Sequence, residues 1–144
     1  VTKPDNADFI ILNLPVVAHG TQDPGSNKII DKLLSTVLPS SDLNFSPEVI
    51  SKVLNYSERA ALIIIVNLNR PAILSQIDKF SDVLIGSFGV SDDAIFRVLF
   101  GDSVPVAKLP FEIPSSMDEV RVQKEDLPDD TNEPSYEFGF GLTY

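Results

Sequence analysis

No cysteine occurs in the 144 residues, so disulfide cross-links, thiolate nucleophiles and zinc–sulfur sites are excluded, while the compartment stays open. Histidine occurs once, at His19, which leaves a histidine-centred metal site without a second ring to share the ion. Positive charge is also scarce. Eleven Lys and Arg stand against 21 Asp and Glu, a formal net charge of −10. That balance argues against nucleic acid and anionic membranes as partners, because both need clustered basic residues. The longest apolar run, residues 60–66, is much too short to cross a bilayer. Residues 1–8 show neither the charged start nor the apolar stretch of a signal peptide.

What is present is an ordinary globular composition, with 43% apolar residues in a chain of single-domain length. "DFIILNL" (8–14) is a compact apolar run and predicts a buried strand. "SNKIIDKLLSTVL" (26–38) places Ile29, Ile30, Leu33, Leu34 and Val37 on one stripe and predicts a helix. Ser46, Pro47 and Glu48 have the order of a cap, a first helical position and a dipole partner. Val49, Ile50, Val53 and Leu54 supply the buried face of that second helix. "ALIIIVNLN" (61–69) is a run without alternation, as a parallel strand covered on both faces requires. A short helix over "RPAILSQIDKF", a strand in "DVLIGSFG" and a helix capped by Ser91 follow. Strand–helix alternation of this kind predicts a three-layer α/β/α sandwich with a mainly parallel sheet. Beyond Asp102 periodicity fades. Nine acidic residues against Arg121 and Lys124 between Glu112 and Glu137 read as a solvated, extended tail.

Ligands of parallel sheets gather at the carboxyl ends of the strands, which directs attention to the loops after Leu14, Asn67 and Ser87. His19 with Asp23 could relay protons, or be plain surface residues in a turn-rich loop. Asp92 and Asp93 form an acidic pair, for which helix capping is a sufficient explanation. The glycines of "GFG" (139–141) lack the strand-before, helix-after context of a phosphate cradle, and no cofactor or metal is expected. A phosphorelay receiver needs aspartates at strand ends that here read "NLPVV" and "NLNRP". "NFS" and "NYS" match the glycosylation pattern at a frequency chance allows.

Four segments, "NLNRPAIL", "DVLIGSFGVSDDAIFRVLFGD", "AKLPFEIPSSMDEVRVQKED" and "EPSYEFGFGLTY", together resemble the C-terminal α/β-sandwich domain of family 3 glycoside hydrolases. The resemblance spans roughly residues 7–144, and "KLPF" with the closing "FGFGLTY" carries it most specifically. It implies an exo-acting, retaining β-glycosidase of β-glucosidase type, acting on β-linked oligosaccharides or glycosides. It also implies a (β/α)₈ barrel that bears the nucleophile. Retention requires two carboxyl groups about 5–5.5 Å apart, so the two domains must dock closely.

The resemblance further implies a core over residues 1–110, without the family's upstream strand and helix. Residues 111–144 are then a tail whose aromatics pack on the barrel, and the chain alone is expected to be inactive. Secretion or a periplasmic location is favoured. Loops 15–25 and 38–45 are expected to border the sugar, with His19, Asp23, Asp42, Asn44 and Phe45 as substrate contacts. No glutamate precedes Glu48, so the acid/base role of the family's sandwich glutamate transfers to no residue here. A non-catalytic docking module is the alternative reading. A free-standing flavodoxin-like domain is a third, and it lacks a phosphate loop.

Overall fold

The computed structural model describes residues 7–16, 42–124, 126–127 and 129–144. The helix expected over 26–38 lies outside them. Three strands, β1 (Phe9–Pro15), β2 (Ala61–Asn67) and β3 (Val83–Ser87), form a parallel sheet in the order β1-β2-β3. The α/β class and the parallel sheet agree with the sequence reading. The middle strand buries one face completely, with no exposure at Leu62, Ile64 and Val66, and part of the other, where Ile65 has 4% and Ile63 is half-buried. That is why its sequence runs rather than alternates. Fully burying side chains of this size contributes about 1.5–3 kcal/mol each. Asp82 fixes the register at the start of the strands. Its carboxylate accepts from the Leu62 N–H at 2.8 Å, and its own N–H donates to the Leu62 carbonyl at 2.8 Å.

Helix α1 (Pro47–Ser57) begins as the sequence indicates, with the Ser46 hydroxyl accepting from the Val49 N–H at 3.4 Å and Pro47 in the first position. Its inner face is Val53, which is fully buried, flanked by Val49, Ile50 and Tyr56 against the core. Leu54 departs from expectation and is 42% exposed. Helix α2 (Asp92–Leu99) is capped by Ser91 and ends before Gly101, whose φ of +82° suits a residue without a Cβ. Asp93 pairs with Arg97 at 3.1 Å on an exposed face.

Residues 70–80 do not form the expected helix. They make two 3₁₀ turns, Leu74–Gln76 and Asp78–Phe80, neither with a side-chain cap. Ala72, Ile73, Leu74 and Ile77 are all buried, so the segment is wrapped by core rather than laid on it by one stripe. An uncapped segment of this length gains little from α-helical pairing, and burial decides its path.

The last third is more organised than its composition implies. Helix α3 (Met117–Val122) is capped by Ser116, whose hydroxyl accepts from the Glu119 N–H at 3.3 Å. The stretches on either side run antiparallel. Ile113 N–H donates to the Tyr136 carbonyl at 2.8 Å, Ser135 N–H to the Ile113 carbonyl at 2.8 Å, and Leu109 N–H to the Phe140 carbonyl at 2.8 Å. Ile113 is fully buried within the core cluster, and Leu109, Phe111 and Tyr136 pack against it. Most acidic residues here are solvated, but Glu112 is buried, at 8% exposure. The Tyr136 hydroxyl is pushed up to about 12, first by burial and then by its hydrogen bond to the Asp78 carboxylate and that group's charge.

A second apolar surface stays open. Phe100, Val104, Val106, Phe138, Leu142 and Tyr144 are each more than half exposed. The Tyr144 hydroxyl donates to the Val98 carbonyl, and the Lys108 ammonium donates to the Gly141 carbonyl, which brings residues 138–144 beside 98–108.

Candidate functional site

Register places Pro15, Asn67 and Ser87 side by side at the carboxyl edge of the sheet. The segment that leaves β2 turns there, with Leu68 N–H donating to the Ser87 carbonyl at 2.7 Å. Gly86 in β3 leaves room for this turn: a Cβ on it would lie 2.8 Å from Cδ1 of Leu68, a side chain with 1% exposure that would have to shift. At the middle of the edge, the Asn67 Oδ1 atom is buried with no hydrogen-bond partner among the described residues. A buried acceptor without a partner is costly, by about 1–3 kcal/mol.

Residues 42–45, just before α1, are fastened to that edge by residues 70–76. The Arg70 guanidinium donates to the Asp42 carbonyl at 2.9 Å, and Ile73 N–H donates to the Leu43 carbonyl at 3.0 Å. The Asp42 carboxylate accepts two bonds from Asn44, one from its N–H at 2.9 Å and one from its side-chain amide at 2.8 Å. Gln76 closes the arrangement by accepting from Phe45 N–H at 2.9 Å and donating to Asn44 Oδ1 at 2.9 Å. From the tail, the Met117 sulfur accepts from Leu43 N–H at 3.3 Å.

Of the five predicted contacts, His19 and Asp23 lie outside the described residues. The structure brings the other three together and gives them different situations. Asp42 is exposed, Asn44 is half-buried with both ends of its amide engaged, and Phe45 is buried in the core at 9% exposure. Among these, the carboxylate is the group presented to solvent.

A groove of about 390 Å³ opens next to this loop, between Leu43 and Pro71 on one side and Phe111, Glu112, Gln123 and Leu127 on the other. The buried Glu112 is a residue that sequence reasoning missed. Its Oε1 atom accepts from Thr131 N–H at 2.7 Å and from the Gln123 amide at 3.4 Å, and Gln123 also donates to the Thr131 hydroxyl at 2.6 Å. The signal was available in "LPFEIP", where apolar neighbours surround one charge. Glu112 ties Gln123 and Thr131 to the body of the domain. No cluster of three or more metal-ligating side chains occurs among the described residues.

The family model of the glycosyl hydrolase family 3 C-terminal domain matches residues 12–144. The chain belongs to this family. Beta-glucosidase C of Emericella nidulans is 40% identical over 89 residues, which is 62% of this chain and 14% of that enzyme. The periplasmic beta-glucosidase/beta-xylosidase of Dickeya chrysanthemi is 38% identical over 92 residues, 64% of this chain and 14% of that enzyme. The family 3 domain thus spans about one-seventh of the curated relatives it matches. The crystal structure of beta-glucosidase from Listeria innocua in complex with isofagomine superposes on 96% of this chain with a TM-score of 0.66, at 19% identity and over 21% of that protein. At such low identity the likeness concerns the fold alone, a mixed helix and strand domain with a parallel three-stranded sheet. Among the described residues no helix is long and apolar enough to cross a membrane.

Proposed function

We propose that this family 3 domain forms one wall of the sugar cleft in a retaining, exo-acting β-glycosidase, with loop 42–45 bordering the subsite of the terminal sugar. Membership of the family over residues 12–144 is the observation that carries the reading, and the relatives named β-glucosidase and β-glucosidase/β-xylosidase supply the substrate class. Geometry supports it through the exposed Asp42 carboxylate, in a loop fastened to the carboxyl edge of the sheet by residues 70–76. Carboxylates and amide oxygens are the groups that receive sugar hydroxyls.

The nucleophile belongs to a (β/α)₈ barrel of the same enzyme, and the domain alone hydrolyses nothing. The open apolar surface supports docking of this kind. At about 150–250 Å² for an aromatic side chain, the exposed parts of Phe100, Phe138 and Tyr144 amount to roughly 300–500 Å². Val104, Val106 and Leu142 add further exposed apolar area. A secreted or periplasmic location accords with the periplasmic relative.

The test is hydrolysis of aryl β-glycosides by the full-length enzyme, with the anomer of the released sugar read by NMR. Activity with retained configuration is expected. Inactivity on gluco-, xylo- and N-acetylglucosamine-type substrates would overturn the reading. It would favour a docking module, the second reading, which the internal engagement of both ends of the Asn44 amide supports.

A further inference from the structure

Resting on the reading that loop 42–45 borders the sugar, we infer that Gln76 is the positioning residue that sets how the Asp42 carboxylate faces its ligand. A primary amide has one donating end and one accepting end, and Gln76 uses both on the same loop. Its oxygen accepts from Phe45 N–H at 2.9 Å and its nitrogen donates to Asn44 Oδ1 at 2.9 Å. The second bond selects between the two flips of the Asn44 amide. With Oδ1 committed to Gln76, the Asn44 nitrogen is directed at Asp42, where it donates to Oδ1 at 2.8 Å beside the Asn44 backbone N–H at 2.9 Å. The opposite flip would set an amide oxygen against a carboxylate oxygen, two acceptors without a proton between them.

The result is a chain of hydrogen bonds, Gln76 to Asn44 to Asp42, polarised in one direction and ending on an exposed carboxylate. Its origin is rigid. Gln76 closes a 3₁₀ turn whose Leu74 and following Ile77 are buried at 4% and 0% exposure. The orientation of the carboxylate is therefore transmitted from the core to the edge of the site, through the Asp42 Oδ1 atom that accepts both bonds from Asn44. Gln76 itself touches no substrate in this scheme and acts through Asn44.

Gln76→Glu in the full-length enzyme isolates the effect. The new carboxylate still accepts from Phe45 N–H, but when ionised it has no proton for Asn44. With an aryl β-glucoside, KM is expected to rise about ten-fold while kcat stays within about three-fold, since one hydrogen bond that sets ligand binding is lost. The same substitution in an Asn44→Ala background is expected to change KM less than two-fold, because the relay is already cut. An unchanged KM for Gln76→Glu, or a KM shift that persists in the Asn44→Ala background, overturns the inference. Where Gln76→Glu fails to fold, Asn44→Ala alone decides: it must show the same rise in KM, and a wild-type KM refutes the relay. A wild-type enzyme that cleaves no aryl glycoside removes the functional reading and this inference with it. An active enzyme with unaltered KM removes the inference alone.

Discussion

Ile113→Ala measures whether the last third of the chain is part of the domain's own core. The side chain has no exposure and sits in the core cluster, while its backbone pairs with Tyr136 and Ser135. Truncation to alanine removes three carbons, which at about 0.8 kcal/mol for each methylene is a transfer loss of about 2.4 kcal/mol. A residual cavity adds about 24 cal/mol per Å³ that the surroundings fail to fill, so the total falls in the range of about 2–5 kcal/mol. Stability of a domain is about 5–15 kcal/mol, so the loss is a large fraction of it. In urea, where m is about 1–3 kcal/mol/M for small proteins, the midpoint should move down by about 1–2 M. Val106→Ala serves as the reference, because Val106 is 80% exposed and its truncation should stay within about 0.5 kcal/mol. A loss below about 1 kcal/mol for Ile113→Ala, or one equal to that of Val106→Ala, would refute the assignment of this segment to the core.

Tyr136 makes a prediction about alkaline pH. Its folded value of about 12 lies above the ordinary tyrosine value of 10, so the protonated form is favoured by folding. The contribution is present in full below pH 10 and is lost as pH rises through about 12. Two units correspond to about 2.7 kcal/mol, and partial exposure of the ring reduces the expected loss to about 1 kcal/mol. Tyr136→Phe should abolish that part of the alkaline destabilisation in urea titrations at pH 9 and 12. Gly141→Ala should loosen the closing segment by about 1–3 kcal/mol, since a Cβ there would stand 2.6 Å from the Ala107 carbonyl oxygen. Faster amide exchange at Leu109 and Gly139, whose N–H groups pair across the two arms, is the readout. Ser46→Ala should cost about 1 kcal/mol by removing the cap of α1, seen as a lower thermal midpoint.

The elements legible in the sequence are those whose signals are local. Ser46-Pro47-Glu48 announces α1 because cap, fixed φ and dipole act within four residues. The run 60–66 announces β2 because a strand covered fully on one face and partly on the other has no polar side to alternate with. The 3₁₀ segment was misread as a helix because Pro71 and nearby apolar residues imitate a helix start, whereas burial on several sides decides its path. Helix α3 had a local signal too: Ser116 followed three residues later by Glu119 is a capping pattern. The acid-rich composition around it masked that signal. Asp42 and Asn44 could be singled out as neighbours in one loop. Their link to Gln76 could not, since 32 residues separate Asn44 from it and nothing local marks the pairing. Glu112 and Ile113 show the same limit, because only the antiparallel partner around Tyr136 explains their burial.

Replacing Asp42 with alanine in the full-length enzyme tests the central claim most directly. If its carboxylate receives the terminal sugar, kcat/KM for an aryl β-glucoside should fall roughly 10–100-fold with the thermal midpoint preserved, as loss of a hydrogen bond to a charged group predicts. An Asp42→Ala enzyme with wild-type kcat/KM would contradict it.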